Sequence, residues 1–121
     1  MAQILICDDE EPIRALVAAT LDGLGHSLLE ARDGERALEL ARQHRPQLVI
    51  LDVMMPKQSG LDVLTAIKRE AQLGDTKVIV LTARAQRVDS ASALAAGADV
   101  FMAKPFRPAE LVAAVERLLA A

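Results

Sequence analysis

Residues 47–56 read Gln47-Leu48-Val49-Ile50-Leu51-Asp52-Val53-Met54-Met55-Pro56. Four apolar side chains run straight into an aspartate, and a proline follows. The run is short, rich in Val, Ile and Leu, and bounded by Pro46 and Pro56, so it reads as a strand buried on both faces. A carboxylate is out of place inside such a strand. Pro56 and Gly60 turn the chain outward, which puts Asp52 where the strand leaves the sheet, at its C-terminal end.

Working outward, the same arrangement recurs. Ile4-Leu5-Ile6-Cys7 stops at Asp8-Asp9-Glu10-Glu11, Val78-Ile79-Val80-Leu81 stops at Thr82, and Asp99 to Ala103 stops at Lys104-Pro105. His26 to Ala31 is a weaker strand whose polar members predict a sheet edge. Helical patterns lie between. Pro12 suits a first helical turn, and Ile13, Leu16, Val17, Leu21 and Leu24 recur at helical spacing, with Gly23 and Gly25 closing the segment. Asp33 is a candidate cap for a helix with the stripe Ala37, Leu40 and Ala41, ended by Arg45-Pro46. Ser59-Gly60-Leu61-Asp62 resembles a capping box ahead of Leu61, Leu64 and Ile67, with Gly74 ending that helix. A fourth helix, about Gln86 to Ala96, is mostly Ala and Ser and ends at Gly97; its thin stripe predicts loose packing. Leu111, Val112, Val115, Leu118 and Leu119 mark the last helix, with Pro108 near its start.

Short apolar strands alternating with amphipathic helices predict an α/β fold, a doubly wound five-stranded parallel sheet covered on both faces. The expected strand order is 2-1-3-4-5, in a single domain over residues 1–121. Composition agrees: 52% of the chain is apolar, the aromatics are two Phe, and the net charge is -3. Basic clusters stop at pairs such as Lys68-Arg69, which argues against a direct nucleic-acid surface. No apolar run approaches the roughly 18 residues of a membrane span, and the N-terminus has no signal-peptide pattern. Cys7 reads as a small buried filler in a reducing cytoplasm.

The polar residues fall where the strands end. In an open parallel sheet, Asp8, Asp9, Asp52, Thr82 and Lys104 all reach one edge, and the order 2-1-3-4-5 makes the three aspartates neighbours at the switch point. Two unit charges 4 Å apart interact by about 4 kcal/mol at an effective dielectric near 20. Such a cluster must take up protons or hold a cation, and hard carboxylate oxygens suit Mg²⁺. Lys104 adds an ammonium and Thr82 a hydroxyl donor. The set is equipped to stabilise a phosphoryl group on an aspartate nucleophile.

Asp8-Asp9, Leu51-Asp52-Val53-Met54-Met55-Pro56 with Gly60, Leu81-Thr82-Ala83, Gly97-Ala98-Asp99 and Lys104-Pro105-Phe106 together resemble the response-regulator receiver domain of two-component signalling. The resemblance covers essentially the whole chain, in order. It implies a flavodoxin/CheY-like fold and Asp52 as phosphoacceptor, fed by a sensor histidine kinase or a phosphotransfer protein. It implies Mg²⁺ (or Mn²⁺) held by Asp9, Asp52 and the backbone carbonyl of Met54, with Asp8 acting partly through water. Thr82 and Lys104 would contact the phosphoryl group, across a cis Lys104–Pro105 peptide. Thr82 and Phe101 match the switch pair of that family, acting on the face of the fourth helix, fifth strand and fifth helix. The receiver would be a monomer or a phosphorylation-dependent dimer, controlling a downstream protein target or an output domain. Met54 and Arg84 match positions that tune phosphate lifetime.

Other readings are open to the same residues. Asp8 and Asp9 would cap the first helix, Phe101 would be plain core, and Thr82 an ordinary strand end. An Asp-nucleophile phosphatase needs an acid two residues after Asp52, where this chain has Met54. The chain also matches the receiver half of a larger DNA-binding regulator.

Overall fold

Leu48–Asp52 forms β3, the centre of a five-stranded parallel sheet of order β2-β1-β3-β4-β5. The structure is a computed structural model and describes residues 2–52, 60–82 and 97–120, with Thr82 described by its backbone. Along the chain run β1 (Gln3–Cys7), α1 (Glu11–Leu21), β2 (Ser27–Ala31), α2 (Gly34–His44), β3, α3 (Gly60–Arg69), β4 (Lys77–Thr82), β5 (Val100–Ala103) and the C-terminal helix α4 (Pro108–Ala120). Every residue of β3 is buried. Each of its large apolar side chains contributes about 1.5–3 kcal/mol by leaving water.

Side chains alternate across a strand, so the sheet builds two cores. Leu5, Cys7, Val49, Leu51, Val78 and Val80 face α2 and α3. Ile4, Ile6, Leu48, Ile50, Ile79 and Leu81 face α1 and α4. The register keeps these rows level: Ile6 pairs with Ile50, Ile50 with Ile79, and Ile79 with Val100. β2 is an edge strand, as its polar residues predict, paired with β1 alone.

The helices follow the sequence patterns with instructive departures. Asp33 caps α2, its Oδ1 accepting from the Arg36 N–H at 2.8 Å. Pro12 sits in the first turn of α1, yet the residue preceding that helix, Glu10, makes no side-chain cap, and the inner face is Val17 and Leu21. Leu16 and Leu24 are instead 48% and 38% exposed. Leu16 lies on the flank of the inner stripe, and Leu24 follows the helix end. α3 stops at Arg69, short of Gly74, because a 3₁₀ turn over Ala71–Leu73 intervenes and buries Leu73. The expected fourth helix and Ser59 lie outside the described residues. Among the described residues, no helix is long and apolar enough to cross a membrane.

The strand ends opposite Asp52 are fastened by Lys68 and Asp99. Lys68 Nζ donates to the Thr76 carbonyl at 2.8 Å and to Asp99 Oδ2 at 3.1 Å. Asp99 Oδ2 also accepts from the Val78 N–H at 2.8 Å. Gly97 lies against this pinned lysine with φ +114°, and a Cβ there would meet Lys68 Cγ at 2.7 Å. Gly97→Ala is therefore expected to lower stability by about 2 kcal/mol. Gly74→Ala should be close to neutral, since its Cβ would meet nothing nearer than 3.6 Å. Urea unfolding of both variants checks this; equal midpoints would refute the strain at Gly97.

Candidate functional site

The period-two rule carries past the strand ends. Ile4 and Ile6 lead to Asp8, Leu48 and Ile50 to Asp52, and Val100 and Met102 to Lys104, all on the α1/α4 side of the sheet. These residues come from β1, β3 and the far edge strand β5. Three inter-strand spacings of about 4.8 Å separate β5 from β1, about 14 Å in all, so a long side chain is needed to cross.

Lys104 makes that crossing. Its Nζ donates to Asp8 Oδ2 at 2.6 Å and to Asp52 Oδ2 at 3.3 Å. The three side chains are 5–6% exposed. The Lys104–Pro105 peptide is cis. Burial alone would lower the lysine's pKa. The hydrogen bond that Lys104 donates to Asp8 and the charges of Asp52 and Asp8 outweigh it, and the net shift is upward from 10.5. A lysine whose folded pKa is raised contributes stability that is complete below its unfolded value and lost as pH climbs through the folded one. The lysine therefore stays charged throughout the neutral range.

Asp9 and Glu10 are exposed beside this buried pair. One carboxylate oxygen from each of Asp8, Asp9, Glu10 and Asp52 lies within 4.8 Å of the others. The donors fit Mg²⁺: hard oxygens, two buried and two solvated, leaving room for water ligands. Oxygens sharing one such ion stand about 3–4 Å apart, so a small contraction suffices. The loop is held by Asp8, whose Oδ1 accepts from the Glu10 N–H at 2.9 Å and whose own N–H donates to the Ala31 carbonyl at 3.1 Å. Cys7, just before it, is sealed in the core; burial and then the Asp8 charge push its thiol pKa well up, so it stays protonated and unreactive.

Asp8, Asp9, Asp52 and Lys104 thus converge as the strand order requires. Thr82 ends β4 opposite Ala103, one residue beyond the Leu81–Asp52 pair, which places its backbone on the same edge. Phe101 faces the other way, partly buried against the α2/α3 core. Met54 and Arg84 lie outside the described residues. Two residues escaped the sequence reading. Glu10 belongs to the cluster and was legible as the third acid of the run Asp8–Glu11. Arg14, whose Nη1 donates to the Asp8 carbonyl at 2.8 Å, looks from sequence like any solvated helix arginine. Two clefts of about 450 and 490 Å³ lie elsewhere on the surface, lined by none of the four converging residues.

Residues 4–116 match the family model of the response regulator receiver domain. The chain belongs to that family. It is 39% identical over 117 residues to the phosphate regulon transcriptional regulatory protein PhoB of Klebsiella pneumoniae, covering 97% of this chain and 51% of that protein. A putative response regulator from Chloroflexus aurantiacus superposes with a TM-score of 0.93 at 29% identity, over 99% of this chain and 98% of that one. The chemotaxis response regulator CheY4 of Vibrio cholerae gives 0.88 at 32% identity, over 98% of both chains. The chain spans about half the length of the curated relatives it matches.

Among the described residues, four carboxylates face the Lys104 ammonium, with the Arg14 guanidinium held on the Asp8 carbonyl, so negative charge is in excess. Asp52→Asn is therefore expected to raise stability by about 1 kcal/mol in low salt without divalent cations, where repulsion is least screened. Added Mg²⁺ should stabilise the wild type more than the variant. Urea midpoints with and without Mg²⁺ decide it; a variant less stable in both conditions would refute the charge-excess account.

Proposed function

We propose that residues 1–121 form one receiver unit acting as a phosphorylation-controlled switch, with Asp52 as the acceptor. The observation that carries this is the nearly sealed Lys104 ammonium bridging Asp8 and Asp52 at 2.6 and 3.3 Å beside solvated acids. An Asp52 carboxylate oxygen attacks phosphorus, the new O–P bond forms as the donor's N–P bond breaks, and the leaving imidazole keeps its electron pair and takes a proton. Asp8, Asp9 and Asp52, with the Met54 carbonyl, would hold Mg²⁺ (or Mn²⁺), which supplies positive charge for the phosphoryl oxygens. Lys104 turns its ammonium from the Asp52 carboxylate to a phosphoryl oxygen, and the Thr82 hydroxyl donates to another.

The donor is a phosphohistidine on a sensor histidine kinase or phosphotransfer protein, and the receiver acts in the cytoplasm. Phosphorylation adds about -1.5 to -2 charges and three acceptor oxygens at this edge. Thr82 and Phe101 are the residues we assign to carry that change outward. The readout is altered affinity of the face that includes β5 and α4 for a protein target, or its pairing with a second copy. A second reading is supported by the half-length match to transcriptional regulators such as PhoB. In it, the same switch controls a DNA-binding output segment of a longer protein.

Incubation with Mg²⁺ and acetyl phosphate should add one phosphoryl group by intact mass. Asp52→Asn should take none, and Lys104→Gln should be phosphorylated about 100-fold more slowly. Labelling of the Asp52→Asn chain at the wild-type rate would overturn the assignment.

A further inference from the structure

Arg14 stands on α1 with its side chain 16% exposed, bonded at two points. Nη1 donates to the Asp8 carbonyl at 2.8 Å, and Nε donates to Glu30 Oε1 at 2.9 Å. Glu30 is on β2, where it pairs in register with Ile6 of β1. The guanidinium therefore links the acidic loop to the half-exposed Glu30 side chain of the edge strand.

We propose that Arg14 is a positioning residue for the metal-binding acids, acting through the Asp8–Asp9 peptide. This rests on the reading of the cluster as a magnesium-assisted phosphorylation site. The carbonyl that Arg14 holds belongs to the peptide plane that Asp8 shares with Asp9, and that plane is rigid. Fixing it fixes the direction in which Asp9 leaves the loop. The Asp8 N–H on the Ala31 carbonyl and the Glu10 N–H on Asp8 Oδ1 hold the two sides of the plane, but neither touches the carbonyl.

The choice of acceptor matters. Lys104 bonds carboxylate oxygens, which a cation also needs. Arg14 bonds a neutral carbonyl, so it braces the loop without occupying any of the cluster's ligand oxygens. The forked guanidinium makes the carbonyl and Glu30 contacts together, which a single lysine ammonium on its own stem is poorly shaped to do. Partners that orient metal ligands without touching the metal change affinity about 10- to 100-fold when removed.

The test uses the whole chain. Mg²⁺ affinity is measured by calorimetry, the Glu10 amide by hydrogen exchange without metal, and phosphorylation by acetyl phosphate across a Mg²⁺ titration. Arg14→Gln should weaken Mg²⁺ binding at least about tenfold, while the rate at saturating Mg²⁺ stays within about twofold of wild type. Its Glu10 amide, which bonds Asp8 Oδ1, should exchange faster. Arg14→Lys should fall between the two, and Arg36→Gln, which disturbs an exposed pair with Glu39 elsewhere on the surface, should match wild type. Wild-type Mg²⁺ affinity in Arg14→Gln, or a slowed rate that saturating Mg²⁺ does not restore, would overturn the proposal while leaving the reading of the site intact. A wild-type chain that neither binds Mg²⁺ nor accepts a phosphoryl group would overturn both.

Discussion

One ammonium holds this site together. Lys104 reaches from beyond β5 to carboxylates at the ends of β1 and β3, and all three side chains are almost removed from water. A carboxylate buried alone would be driven to protonate, and two side by side more so. Lys104 gives both a charged hydrogen-bond partner, and those same contacts outweigh the burial that would lower its own pKa. The balance is incomplete, because Asp9 and Glu10 bring further negative charge within 4.8 Å. Among the described residues, negative charge therefore outweighs positive at this edge. The proposed metal-assisted phosphorylation would draw on that imbalance.

The sheet makes such a concentration of charge affordable. Parallel strands buried on both faces bring all their C-terminal ends to one edge, and strand alternation then selects the side. Ile4, Ile6, Leu48, Ile50, Val100 and Met102 anchor the same core that Asp8, Asp52 and Lys104 continue past. Register and core packing thus fix the acids by the same contacts that stabilise the fold. At the opposite edge, Lys68 and Asp99 spend their charges on main-chain groups of Thr76 and Val78. There a pair of opposite charges closes off the strand ends.

Most of this was legible in the sequence for a physical reason. Apolar runs that stop abruptly at Asp, Thr or Lys mark both a strand and its exit, so strand order and the converging residues followed together. The readings that failed are those that depend on a helix's immediate neighbours. Leu16 repeats at helical spacing but lies off the axis defined by Val17 and Leu21, and periodicity alone is too coarse to separate a stripe from its flank. Gly74 punctuates the chain, yet a tight turn fits between it and the end of α3 because Leu73 still has core to fill. Glu10 was visible as an acid but not as a member of the cluster, since that depends on how the loop turns after Asp8.

Arg14 shows a different limit. Its two acceptors are a main-chain carbonyl six residues back and a side chain on the edge strand, and neither pairing has a sequence signature. The edge strand itself then takes on a second meaning. Charged residues on edge strands blunt unwanted pairing, and Glu30 fits that description. Its position opposite Ile6 also puts it within reach of the Arg14 side chain lying over the acidic loop. A residue that protects the edge by its charge can brace the site by its location. The polar character of β2 is then part of what holds Asp8 in place, although the strand contributes no ligand of its own.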